Sequence, residues 1–196
     1  AHLGFVREHS AVPVGICRVE VYGGTALEAQ LKEQVRLQGD YFGYDYALAD
    51  PAAEAVCRAW YQVLGRRFFD LEVGMGPRSM ALDYQLHLLD HVWPGRATES
   101  IRERVHGFVR ELNEHSCSVL SEMCDVAERS PAEVQEHVER WQAECEAFER
   151  NLDARSKRLF VEMAALARLP QRAFQFSWQA TGFVCFALFL FAIAVV

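Results

Sequence analysis

At 196 residues the chain has room for one domain and an anchor, or for two small modules. Its formal net charge of -7, from 27 acidic residues against 20 Lys and Arg, argues against a nucleic-acid partner, and its basic residues form no run interleaved with aromatics. The six cysteines, Cys17, Cys57, Cys117, Cys124, Cys145 and Cys185, contain no Cys-x-x-Cys pair, so zinc-finger and thioredoxin-type chemistry have no motif to rest on.

The first 24 residues give a weak signal. Val12 to Tyr22 alternates in part and closes on Gly23-Gly24. Pro13 and Gly15 spoil a central strand, so an edge strand or an extended arm lying on a partner is expected. The start at Ala1-His2-Leu3 instead of Met leads us to expect removal of a targeting segment, or a missing start.

A small helical region should fill residues 25–95. Thr25-Ala-Leu-Glu28 has the form of a capping box, and a helix is expected from it to about Gln38, stopped by Gly39-Asp40. Four aromatics in six residues, Tyr41 to Tyr46, suit a loop whose rings pack on neighbouring helices, with a binding surface as the alternative. Asp50-Pro51 caps the next helix, which carries Val56, Trp60, Val63 and Leu64 and should end near Gly65 or Gly74. Gly76-Pro77 opens a further helix with Leu82, Leu86, Leu89 and Trp93 on one side. The other side carries Asp83, His87, Asp90 and His91. Asp83, His87 and His91 follow one another at four-residue spacing, which puts potential metal ligands on one stripe. The set lacks the Glu of a His-Glu-x-x-His site and is read as a polar face, so neither metal nor cofactor is expected.

Residues 96–169 are the most informative. Thr98 caps a helix with the register Ile101, Val105, Phe108, Leu112, His115, Val119, Glu122, Val126. Ser130-Pro-Ala-Glu133 has the form of a second capping box, and the helix after it repeats Val134, Val138, Trp141, Cys145, Phe148, Leu152, Arg155, Leu159. Alternating spacings of four and three make a heptad seam in each arm. A tight turn folds such arms back antiparallel, pairing Val119 with Trp141, Leu112 with Phe148, Phe108 with Leu152 and Ile101 with Leu159. Glu122 and Arg155 interrupt the seam. His115 facing Cys145 reads as a satisfied core histidine, with half of a metal site as the alternative.

The chain closes on residues 170–196. Ala173 to Val196 is 24 residues without a charge, about 36 Å as a helix and enough to cross a hydrocarbon core of roughly 30 Å. Phe174, Phe176 and Trp178 fall where an interfacial aromatic belt belongs, and Phe183, Phe186, Leu188, Phe189, Leu190, Phe191 and Ile193 fill the span. Before it, Arg158, Arg168 and Arg172 form a basic flank suited to anionic lipid headgroups, cardiolipin among them, on a cytosolic or matrix face.

The expected fold is therefore all-α: a helical body with a long, coiled-coil-like antiparallel helical hairpin, then one C-terminal transmembrane helix. Phosphate-loop, dinucleotide, Gly-x-Ser-x-Gly and His-Glu-x-x-His signatures are missing from the sequence. A non-catalytic accessory subunit of a multi-subunit membrane complex is the expected function. The host would be a mitochondrial inner-membrane respiratory complex or ATP synthase, with the body in the matrix and the other subunits as partners. The alternative is a tail-anchored tether or regulator at the endoplasmic reticulum or outer mitochondrial membrane. A weaker one is a metal-dependent enzyme or electron carrier built on His87 and His91.

Overall fold

A computed structural model describes residues 2–40, 43–92 and 97–167. The chain is mostly helical there, with one very small sheet. Six α-helices follow in order: α1 (His2–Glu8), α2 (Ala26–Glu33), α3 (Pro51–Phe69), α4 (Met75–Val92), α5 (Glu99–Arg129) and α6 (Val138–Ala167). Strands β1 (Leu37–Gln38) and β2 (Asp45–Tyr46) pair antiparallel between α2 and α3. The expected span 173–196, with Arg168 and Arg172, lies outside the described residues, as does Trp93. Among the described residues no helix is long and apolar enough to cross a membrane.

The helix starts follow the caps written in the sequence. Thr98 accepts a hydrogen bond from the Ile101 amide, and Asp50 accepts one from Ala52 with Pro51 in the first turn. Thr25 caps Glu28, whose carboxylate reaches back to the amide of Gly24 instead of that of Thr25. Ser130 departs from expectation, because its side chain makes no capping bond. Ser130 is a single-residue break, Pro131 opens a 3-10 turn over Pro131–His137, and only then does α6 begin. The helix expected to reach Gln38 stops at Glu33, where Val35 adopts a positive φ of 54° and turns the chain into β1. Neither a strand nor a helix forms over residues 12–22. The helix α1 was not expected at all.

Helices α5 and α6 run antiparallel. Their ion pairs fix the register: Arg104 with Glu162, Glu111 with Arg155 and Glu122 with Arg140. Glu122 and Arg155, which interrupt the heptads, thus turn outward to partners on the opposite arm. Val119 and Trp141 share one buried cluster with Val126, Val134 and Cys145. Ile101, Val105, Phe108, Leu112, Leu152 and Leu159 share a second, with half-buried Phe148 packed on it.

The two arms do not stand alone. Trp60, Val63 and Leu64 of α3 join the cluster at the turn end of the hairpin. Met75, Leu82, Leu86 and Leu89 of α4 join the cluster at the open end. The corner between α3 and α4 is tight. Asp70 accepts bonds from the amides of Glu72 and Val73, and a Cβ on Gly74 would lie 2.4 Å from the Asp70 carbonyl oxygen. Ion pairs from Arg78 to Asp153 and from Arg102 to Asp90 show that α4 runs in the same direction as α6.

Leu112 is 1 % exposed at the centre of this packing. Leu112→Ala should therefore cost about 2–5 kcal/mol in chemical denaturation, the range of a cavity that its neighbours cannot close. A loss below 1 kcal/mol would show that the layer is loosely packed.

Candidate functional site

Three places on the bundle gather chemistry or exposed apolar surface. The first is internal. Arg67 continues the core stripe of α3, and its guanidinium is fully buried. Nε donates to Glu149 Oε1 at 2.6 Å, and Nη1 donates to Ser116 Oγ at 2.9 Å. Nη1 also lies 3.3 Å from His115 Nδ1, which suits an imidazole protonated at Nε2 and accepting at Nδ1. The Ser116 hydroxyl in turn donates to the Leu112 carbonyl. His115 stacks on Phe148 at 3.8 Å, and the guanidinium lies over that same ring. Nη2 meets no acceptor among the described residues.

This arrangement sets the charges. Burial, with the Arg67 charge adding to it, holds His115 down to about 4. Burial pushes the Cys145 thiol up to about 11, against the pull of Arg67. At neutral pH the pair is a neutral imidazole and an intact thiol. His115 therefore meets Arg67 and Phe148, and a cation already occupies the neighbourhood in which a metal would have to sit. Among the described residues no group of three or more His, Cys, Asp or Glu side chains is arranged to hold a metal ion. The site joins α3, α5 and α6.

The second place lies under the N-terminal arm. Asn113 is buried and donates to the carbonyls of Ser10 and Val12, both at 2.8 Å. Trp60 Nε1 donates to Ile16, and Tyr46 Oη donates to Val19. The arm is thus held on this chain's own α3, α5 and β2. Beneath it is a cavity of about 550 Å³ with mostly apolar walls, Ile16, Val56, Trp60 and Leu120 among them. Cys17, Cys57 and Cys124 line it from three different elements. Burial raises the thiols of Cys57 and Cys124, so they sit there as apolar groups. At the rim Arg18 pairs with Asp45 and lies over the Tyr46 ring.

The third place is the outer face of α4. Met80, Tyr84, Leu88 and Val92 are 48, 59, 39 and 51 % exposed. Their four-residue spacing puts them on one stripe, on the opposite side of the helix from Leu82, Leu86 and Leu89. Asp83, His87 and His91 flank this stripe. His87 Nδ1 lies 2.8 Å from the Asp83 carbonyl and 3.5 Å from its carboxylate, on an exposed surface. The face read as polar from sequence therefore carries four large apolar side chains. The same spacing rule that marked the histidines would have found them.

Comparison with protein-family models, with curated proteins and with solved structures gives no match, so the chemistry rests on this chain's own residues.

The His115 environment has a measurable consequence. A histidine held neutral in the fold takes up a proton near its usual 6.5 in the unfolded chain, but only near 4 in the bundle. Unfolding is therefore favoured progressively as pH falls from about 6.5 to about 4, and the loss levels off below. His115→Gln keeps an acceptor for Arg67 and does not titrate. Melting temperature should fall between pH 6.5 and 5 in the parent chain and stay flatter in the variant. Parallel curves would place His115 in water.

Proposed function

We propose that the chain is a non-catalytic, single-pass membrane protein whose helical bundle serves as an accessory subunit, held at the bilayer by residues 173–196. The outer stripe of α4 carries this reading. A helix that is apolar on two faces belongs between two neighbours. The inner face of α4 has its neighbours in α5 and α6. Its outer stripe spans about 18 Å from Met80 to Val92, the length of a helix-to-helix contact. The occupant it suits is an apolar helix of another subunit of the same complex.

Direction supports the membrane part of the reading. Helices α4 and α6 run the same way, so the stripe leads toward the end of α6 at Ala167. Only residues 168–172 separate that end from the uncharged segment. A partner helix emerging from the same bilayer would meet α4 there. The basic flank favours a matrix or cytosolic face, and we favour the inner mitochondrial membrane. The buried Arg67 cluster supports the non-catalytic part, since its histidine and thiol are shielded and bonded to structural neighbours.

Replacing Tyr84 and Leu88 together by Glu tests the reading. Both side chains are exposed, so each change should alter stability by no more than about 0.5 kcal/mol. In mild detergent the parent chain should carry defined subunits with it, and the double variant should lose them. Equal recovery of those subunits with both chains would remove α4 as the contact. A parent chain that purifies alone or as its own dimer would overturn the accessory-subunit reading.

A further inference from the structure

The outer seam of the hairpin has a gap. Ion pairs between Arg104 and Glu162 and between Glu111 and Arg155 form two rungs across α5 and α6. The same register puts Gly107 across from Leu159 in the space between them. Gly107 contributes no side chain, and a cleft of about 600 Å³ opens there. Its walls are Arg104 and Glu103 on one helix and Arg155, Arg158, Leu159 and Glu162 on the other.

Two features of this gap are not accounted for by folding. A glycine inside a 31-residue helix costs about 1 kcal/mol relative to alanine. Packing does not require it here, because a Cβ built on Gly107 would meet no atom within 4 Å. Arg158 is the other feature. It projects into the cleft wall with no ion-pair or hydrogen-bond partner among the described residues, whereas Arg104 and Arg155 each have a glutamate.

We propose that this cleft binds a phosphate group, held by Arg104, Arg155 and Arg158 over the bare backbone of Gly107. Three arginines line one concave site, and guanidinium is the side chain suited to bidentate phosphate contacts. The two existing ion pairs are half exposed, so each is worth at most about 1 kcal/mol and can be exchanged for a doubly charged anion. Glu103 and Glu162 oppose binding. The lining carries one net positive charge, but Glu111 on Arg155 cancels it, so only an anion that engages several arginines at once can displace the glutamates. The cleft is much larger than inorganic phosphate, and Leu159 gives it an apolar patch. The ligand is therefore a phosphate ester, either a soluble phosphomonoester or the headgroup of a phospholipid. This inference is independent of the α4 contact, which lies on another face.

The test uses the full chain in nanodiscs, with inorganic phosphate and glycerol 3-phosphate as soluble probes in calorimetric titrations. Discs of phosphatidylcholine alone and with added phosphatidic acid form the lipid arm. Saturable binding of a soluble probe that weakens about tenfold in Arg158→Gln, but not in Arg150→Gln on the exposed side of α6, is the expected result for a soluble ester. Retention of phosphatidic acid by the parent chain, lost in the same variant, is the expected result for a headgroup. Gly107→Leu should abolish binding of either probe, and its melting temperature should not fall. That combination separates filling the cleft from damaging the fold. No saturable binding of any probe up to about 10 mM, or equal weakening by Arg158→Gln and Arg150→Gln, overturns the proposal.

Discussion

The bundle depends on a buried cation. The heptad seam of the hairpin loses its apolar character at His115, and two helices alone would leave that layer wet. Arg67 fills it from a third helix. Its guanidinium joins Glu149 of α6, Ser116 and His115 of α5, and the ring of Phe148. Bringing such a charge out of water costs several kcal/mol, and only a close set of acceptors offsets this. Helix α3 is therefore committed to one height and one rotation against the hairpin. A hydrophobic residue would bury as well at several neighbouring registers.

That commitment orders the rest of the molecule. With α3 fixed, the tight corner at Asp70 and Gly74 sends α4 back along the open end of the hairpin. Helix α4 then seals Ile101, Val105 and Leu159 with one face and leaves Met80, Tyr84 and Leu88 on the other. The same placement of α3 makes the shelf on which the arm lies, through Trp60 and Ile16. The polar layer ties three helices together, with its histidine neutral and its thiol protonated at pH 7.

Local signals in the sequence were the legible ones. The heptads of residues 101–126 and 134–159 and the caps at Thr98 and Asp50 depend on residues within one or two turns. They gave both arms and the start of α3. What depended on distant partners was not legible. An end of α3 near Gly65 or Gly74 left open whether the helix includes Arg67; it runs through Gly65 to Phe69, which puts Arg67 on the core stripe with Trp60, Val63 and Leu64. An arginine in that stripe gives no local sign of its partners, which lie 48 to 82 residues away. The Ser130 box failed because Pro131 opened a 3-10 turn in which the serine does not reach the amide of residue 133. The arm of residues 12–22 was legible as a segment outside the helices. That it lies on its own bundle depends on Asn113, a polar residue that sequence alone places on no face.

A double-mutant cycle at Arg67 and Glu149 tests the dependence on the buried cation most directly. Glu149→Met leaves the guanidinium buried without its carboxylate and should cost about 3–5 kcal/mol. Arg67→Met with Glu149→Met removes both charges and should recover part of that loss, with a coupling of about 1–3 kcal/mol. Independent, additive losses at the two positions would contradict the account, since they would mean that α3 is held by its apolar residues and the buried pair organises nothing.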